Sequence, residues 1–115
     1  MTERVVLAAI RARLAKNSLL RLFRNSCGVA VNPAGQTITY GLCTGSSDLI
    51  GWKTHLVTQE DIGREIAVFV ALEVKAGRGR VTPEQENFVA QVKRAGGIAG
   101  VVRSDDEAEY LVRSF

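Results

Sequence analysis

Glu65-Ile66-Ala67-Val68-Phe69-Val70-Ala71-Leu72-Glu73-Val74-Lys75 joins an apolar run to a terminal pair of opposite charges. The run predicts a strand over 66–75 that is apolar on both faces and therefore central in a sheet. Glu73 and Lys75 are two residues apart, so their side chains point to the same face. A carboxylate and an ammonium at the end of a buried strand are costly unless something uses them. The pair therefore marks a candidate functional site.

A helix and another strand follow this stretch. Thr82-Pro83-Glu84-Gln85 supplies an N-cap, a Pro at the first helical position and a Gln at the capping-box position. Ala95-Gly96-Gly97 then offers glycine for the C-terminal cap of that helix. Residues 98–102 predict a strand, and the strand–helix–strand order favours its parallel pairing with 66–75.

The first half of the chain predicts one helix and several strands. Thr2 caps a helix that runs to about Lys16, and 19–24 form a short extended segment. Asn32-Pro33-Ala34-Gly35 is a turn signal that predicts a hairpin between two strand-like segments. A strand over 48–52 follows a Gly-rich segment.

Capping residues also place the remaining helical segments. Thr58 caps a single helical turn, while Ser104 and Glu107 form a capping box for a last helix. The inner stripe of that helix comprises Ala108, Leu111, Val112 and Phe115. The core order of helix, three strands, helix and strand, with this last helix after it, indicates a single α/β domain over residues 1–115.

Composition and charge limit the class of protein. The net charge of +3 permits a polyanionic partner. No apolar stretch reaches the roughly 18 residues of a membrane span, and no signal peptide is apparent, which predicts a location inside the cell. Cys27 and Cys43 lack the spacing of a zinc site, and His55 stands alone, which leaves nucleophilic-triad chemistry without support.

Oxygen ligands for a divalent metal ion converge on the two central strands. Asp48 opens one strand and Glu73 ends its expected neighbour, so both carboxylates can reach one ion. The backbone carbonyl of Val74 is a third ligand, and Lys75 can orient a water or neutralise developing charge. This set suits phosphodiester cleavage; the alternative is structural ion pairing.

Two further residues have competing interpretations. Gln85 lies on the inner face of its helix and can hydrogen-bond a water or a metal ligand, or can serve capping alone, because one rotamer cannot do both. Glu3 begins the inner stripe of the first helix and could add a carboxylate. It could instead only complement the helix dipole.

The chain resembles the PD-(D/E)XK nuclease superfamily and, more narrowly, the stand-alone, phage-type VRR-Nuc domain. The residues that carry the resemblance are Arg24-Asn25-Ser26-Cys27-Gly28, Gly45-Ser46-Ser47-Asp48-Leu49-Ile50-Gly51, Glu73-Val74-Lys75, Thr82-Pro83-Glu84-Gln85 and Gly96-Gly97-Ile98-Ala99-Gly100-Val101. It implies a restriction-endonuclease-like αβββαβ core whose mixed central sheet is flanked by helices. Ser47 replaces the Pro that precedes the acidic residue in the superfamily motif.

The resemblance also implies an activity. The expected protein is a Mg²⁺- or Mn²⁺-dependent DNA endonuclease that leaves 5′-phosphate ends, with Asp48, Glu73 and Lys75 as the motif residues. Gln85 and Glu3 match the glutamine and the glutamate of the flanking helices. The short phage-type members resemble homodimers that resolve Holliday junctions, which places the chain in the cytoplasm of a bacterial or phage-infected cell.

Four side chains are candidate contacts for the phosphates of the DNA. Arg78 and Arg80, beside the Glu73–Lys75 pair, are the best candidate contacts, followed by Arg24 and Asn25. The alternatives are a flap or duplex DNA nuclease, including a restriction-type enzyme, and a non-catalytic DNA-binding module on the same fold.

Overall fold

A computed structural model describes residues 2–113 and shows a mixed α/β chain. Its elements are α1 (Glu3–Leu14), β1 (Leu20–Arg24), β2 (Gly28–Val31), β3 (Thr37–Tyr40), β4 (Leu49–Lys53), a short 3-10 helix (Gln59–Asp61), β5 (Val70–Val74), α2 (Pro83–Arg94), β6 (Ile98–Val102) and α3 (Asp105–Arg113). The chain divides into two compact units, with the boundary between His55 and Leu56. Phe115, predicted on the inner stripe of the last helix, lies outside the described residues.

The first unit contains α1 and two antiparallel strand pairs. The Thr2 hydroxyl accepts a hydrogen bond from the Val5 N–H (3.3 Å), which confirms the predicted start of α1. Strand β1 pairs with β4, and β2 pairs with β3 across the predicted hairpin turn. In that turn the Asn32 side chain accepts from the Gln36 N–H (2.8 Å), and Gly35 takes a positive φ of 79°.

The second unit has two helices packed on a parallel strand pair. Val70 lies opposite Ile98 in the register of β5 and β6, which confirms the predicted parallel pairing. Gly100 lets α3 approach closely, because a Cβ there would come 2.8 Å from Leu111 Cδ2. Helix α2 covers the other face. The side chains buried in this unit are Val92, Ala99 and Val102.

Strand β5 is shorter than the predicted strand over 66–75. Since β6 begins at Ile98, opposite Val70, pairing with β6 cannot extend back to Ile66. Among residues 2–113 the strands form three two-stranded sheets, β1–β4, β2–β3 and β5–β6. The central place of β5 in one larger sheet stays a prediction.

No helix within residues 2–113 has the length and apolar character needed to cross a membrane. The two longest described helices, α1 and α2, have 12 residues each.

Candidate active site

The Glu73–Lys75 pair closes β5 as a direct ion pair. The Lys75 ammonium lies 3.5 Å from Glu73 Oε1, and the side chains of lysine and glutamate are 19% and 28% exposed. Both are partly screened from water yet reachable by a ligand. The predicted same-face placement is therefore present at the carboxyl end of the parallel strand pair, an edge at which many α/β proteins bind ligands.

The carbonyl of Val74 points away from β6. In a parallel ladder the backbone groups of successive residues alternate between the two sides of a strand. Phe69 accepts from the Ile98 N–H (2.9 Å) and Lys75 donates to the Val102 carbonyl (3.1 Å), so the odd-numbered residues face β6. Pairing with β6 thus leaves the oxygen of Val74, between Glu73 and Lys75, on the opposite side.

Gln85 takes the capping rotamer. Its Oε1 accepts from the Thr82 N–H (3.0 Å), and its own N–H donates to the Thr82 hydroxyl (3.2 Å). The predicted capping box is therefore confirmed with both bonds made. In this rotamer Oε1 is engaged at the start of α2, and any contact with a water or ion requires the other amide atom or a different rotamer.

Gln85 and Glu73 nevertheless share one cavity of about 300 Å³ between α2 and β5. The cavity is lined by Ala71, Leu72, Glu73, Glu84, Gln85, Phe88 and Val89. Sequence reasoning missed Glu84, which adds a second carboxylate to this cavity. The signal that could have found it is its place at the start of α2, next to Gln85.

Asp48 lies in the first unit, directly before β4, and contacts Arg24. The Arg24 guanidinium is 3.4 Å from Asp48 Oδ1 and 3.3 Å from the Asp48 carbonyl oxygen. The Asp48 side chain is 77% exposed, so its carboxylate stays open to a further cation. The structure thus pairs a predicted metal ligand with a predicted phosphate contact.

Asn25 organises the segment that leads to Asp48. Its amide nitrogen donates to Ser46 Oγ (2.7 Å) and to the Ser47 carbonyl (2.9 Å), while its Oδ1 accepts from the Leu42 N–H (2.9 Å). Both ends of the amide are therefore used inside the protein. The DNA contact predicted for Asn25 stays a prediction, and the contacts themselves indicate a role in loop geometry.

The same network changes the chemistry of a thiol. Cys27 Sγ lies 3.1 Å from Ser46 Oγ. The hydrogen bond with Ser46 lowers the pKa of the Cys27 thiol below its ordinary value, against a smaller opposing effect of desolvation, and bonds from the backbone of Cys43 and Leu42 and from Asn25 add to the lowering. Sequence reasoning excluded a zinc site at this residue and assigned it no other chemistry.

The loop after β5 carries Arg78 and Arg80, both exposed. Arg103 is the residue that follows β6, and its guanidinium donates hydrogen bonds to the Gly77 and Gly79 carbonyls, each at 2.8 Å. Sequence reasoning missed this contact, because Arg103 is 26 residues from Gly77 and no local pattern joins them.

Glu3 lies in the exposed first turn of α1, where a carboxylate complements the helix dipole. In neither unit do the described residues gather three His, Cys, Asp or Glu side chains that could hold a metal. The ligands predicted from the sequence are carboxylates and one backbone carbonyl. All of these donors are oxygens, which suits Mg²⁺ or Mn²⁺, ions that keep several waters.

Comparison with known protein families gives one match that covers most of the chain. The profile of the VRR-NUC domain matches residues 3–106, which include residues of both units and every predicted site residue. No curated protein and no solved structure gives a significant match.

Proposed function

Because this chain belongs to the VRR-NUC domain family, a family of nucleases, we propose that it is a metal-dependent, structure-selective DNA endonuclease. Family membership implies a PD-(D/E)XK-like fold and a DNA substrate, and nucleases of this type generally use divalent metal ions. Beyond family membership, we propose the site residues, a Mg²⁺ or Mn²⁺ ion as the cofactor, branched DNA as the substrate and a homodimer as the active form.

The observation that carries the proposal is the geometry at the end of β5. A glutamate and a lysine lie 3.5 Å apart there, and pairing with β6 leaves the intervening carbonyl on the opposite side. An oxygen ligand set with an adjacent ammonium is what phosphodiester hydrolysis requires.

The ion would be held by the carboxylates of Asp48 and Glu73 and by the Val74 carbonyl, with Glu3 as a further carboxylate. A divalent ion in such a site activates water and polarises the phosphate. We propose that residues 1–115 work as one nuclease domain with a mixed central sheet. The support is a family match over residues 3–106.

Lys75 and Gln85 act on the water and the phosphate. The Lys75 ammonium orients the attacking water and neutralises charge that develops on the phosphate oxygens. The water attacks phosphorus in line, the bond to the 3′ oxygen breaks, and that oxygen leaves with a proton, which gives 5′-phosphate ends. Gln85 contributes its amide from the α2 side of the shared cavity.

Arg78, Arg80, Arg24 and Asn25 contact phosphates. These contacts carry no base readout, so DNA structure rather than sequence selects the substrate. A short domain covers few phosphates, and resolution of a four-way junction needs two symmetric cuts, which a two-fold dimer supplies. The cytoplasm of a bacterial or phage-infected cell is the proposed location.

The decisive experiment offers duplex, 5′ flap, 3′ flap and four-way junction DNA side by side with Mg²⁺ or Mn²⁺. Wild type is compared with Glu73→Gln, and Glu84→Gln is the matched control because it removes another carboxylate of the same cavity. We expect paired, symmetric nicks in the junction, lost in Glu73→Gln and retained in Glu84→Gln. Preferred cutting of a flap or a duplex would replace the junction assignment.

A non-catalytic DNA-binding module is the second candidate. The exposed Arg78 and Arg80 on a loop fixed by Arg103 favour it, since this surface needs no metal to bind phosphates. Calorimetric titration with Mn²⁺ separates the two candidates. Heat of binding that disappears in Glu73→Gln supports the nuclease, and no heat at millimolar Mn²⁺ supports the module.

A further inference from the structure

The structure assigns Arg103 the role of a positioning residue that fixes the loop after β5 and thereby sets the phosphate-binding surface. The inference rests on the proposed function, because Arg78 and Arg80 are the proposed phosphate contacts. It goes beyond that function in naming a residue outside the nuclease motif on which those contacts depend.

Arg103 lies next to Lys75 at the carboxyl edge of the parallel strand pair. Val74 lies opposite Val102, so Lys75 and Arg103 follow as neighbours immediately after the strands end. Both positively charged side chains are therefore located at the same edge of the sheet. Two like charges side by side are unfavourable unless other groups use them.

The Arg103 guanidinium is taken up by the backbone of the loop after β5. Arg103 donates one bond to the Gly77 carbonyl and one to the Gly79 carbonyl, each at 2.8 Å. Bonds of a charged donor are about twice as strong as those between neutral groups, and the planar fork suits two acceptors at once. The Gly79 N–H in turn donates to the Ala76 carbonyl (2.9 Å), which closes the loop as a turn.

The loop fixed in this way carries both candidate phosphate contacts. Arg78 lies between the two residues whose carbonyls accept from Arg103, and Arg80 follows directly. The backbone of Gly79 also lies beside the stem of Lys75, since a Cβ at Gly79 would be 3.7 Å from Lys75 Cβ and Cδ. One guanidinium therefore fixes the segment that presents two arginines and borders the lysine of the candidate active site.

The alternative role for Arg103 is that of a direct phosphate contact. Its hydrogen bonds to Gly77 and Gly79 direct the guanidinium toward backbone carbonyls of the loop, and a lysine at this position would lack the planar fork that reaches both. We therefore expect its effect on DNA binding to pass through Arg78. Direct contact would instead make the effects of the two residues independent.

The test uses Arg103→Gln, Arg103→Lys and a control, Arg94→Gln. Arg94 lies in the last turn of α2, toward the amino end of β5, where Gly97 approaches the Phe69 carbonyl. Both glutamine variants remove one positive charge from the same unit. Circular dichroism checks that each variant keeps its secondary structure.

The first readout is limited trypsin cleavage after Arg78 and Arg80 of the full chain without DNA. Loss of one or two net hydrogen bonds should raise the open population of the loop, and with it the cleavage rate, about five- to thirtyfold in Arg103→Gln. Arg103→Lys should fall between this variant and wild type, and Arg94→Gln should match wild type. Equal rates in Arg103→Gln and wild type, or an equal rise in Arg94→Gln, would overturn the assignment.

The second readout is a double-mutant cycle on binding to a four-way junction in EDTA, where no cutting occurs. We expect Arg78→Gln to weaken binding several-fold when it is introduced into the wild-type chain. The same substitution should weaken binding much less in the Arg103→Gln background, because the loop is already displaced there. Independent, multiplying effects would make Arg103 a direct contact and overturn its positioning role. Trypsin cleavage could rise as expected while Arg78→Gln, as a single variant, binds the junction as tightly as wild type. That result would refute the phosphate contact proposed for Arg78 and would support the role of Arg103 in fixing the loop.

Discussion

Gln85 accepts a hydrogen bond at Oε1 from the Thr82 N–H, 3.0 Å away, and so holds the start of α2. The same side chain lines the cavity that contains Glu73. The cap engages Oε1, so the catalytic contact proposed for Gln85 would use the amide nitrogen or another rotamer. Capping and the proposed catalytic role can be separated, because Thr82 takes part in the cap through its own hydroxyl.

Replacement of either capping partner should weaken α2 to a similar extent. Thr82→Ala and Gln85→Ala each remove one bond of the capping box, which should lower the free energy of unfolding by about 0.5–2 kcal/mol. Only Gln85→Ala removes the amide from the cavity beside Glu73, so only that variant should lose DNA cleavage. Urea unfolding and a cleavage assay measure the two effects. Equal activity in both variants would leave Gln85 with capping alone.

Lys75→Ala should separate catalysis from stability. Loss of the ammonium removes a charge that stabilises the transition state, which should slow cleavage by about 10²- to 10³-fold. The side chains of Lys75 and Glu73 are only 19% and 28% exposed, so loss of the ammonium should lower the free energy of unfolding by about 1–3 kcal/mol, which is too little to explain the loss of cleavage in a chain that stays folded.

Asp48→Ala should abolish cutting, because it removes a proposed metal ligand, while DNA binding stays largely intact. Lys93→Ala on α2 serves as the control for both variants. Cleavage is measured on the preferred branched substrate under single-turnover conditions, and binding in EDTA. Full activity in Lys75→Ala or Asp48→Ala would refute the site assignment.

Arg78→Gln should change the salt dependence of DNA binding. Each phosphate neutralised releases condensed counterions, so one lost contact should reduce the slope of log K against log salt by about 0.9 on duplex arms. Arg94→Gln provides the comparison with the same change in charge. The measurement is fluorescence anisotropy over a salt series, and a slope equal to that of wild type would remove Arg78 from the interface.

Cys27 should react as an unusually acidic thiol. The hydrogen bond with Ser46 lowers its pKa, so its thiolate, the reactive form, should appear at a lower pH than for an ordinary cysteine. Ser46→Ala removes that bond and should move the pH profile of alkylation upward. Iodoacetamide labelling across a pH series with peptide mass spectrometry measures this, with exposed Cys43 as the internal reference. An unchanged profile in Ser46→Ala would show that the Ser46 hydroxyl does not cause the lowered pKa.

Local structure could be predicted where the signal is local. The caps at Thr2, Thr58 and Thr82 depend on contacts between residues three apart, and each is present. The hairpin follows from Pro33 and Gly35, which limit the backbone to a turn. Parallel pairing of β5 with β6 follows from the helix between them. Strand ends were less accurate, because the length of β5 depends on where β6 begins.

The chemistry of the candidate site was predicted in part for the same reason. Glu73 and Lys75 were predicted on one face because side chains in a strand alternate, and the structure adds the 3.5 Å contact between their charged groups. The contacts of Arg24 with Asp48 and of Asn25 with Ser46 join residues 24 and 21 positions apart. No periodicity links such pairs, so these partners could not be foreseen.

The sequence by itself therefore determined the α/β class, the positions of caps and turns, and the placement of an acidic and a basic side chain together at a strand end. These features depend on backbone geometry within a few residues. Only the tertiary structure decided that Gln85 holds a capping rotamer, that Asn25 binds its own loop, and that Arg103 clamps the loop after the Glu73–Lys75 pair. Each depends on which distant backbone groups are left to be satisfied once the strands have paired.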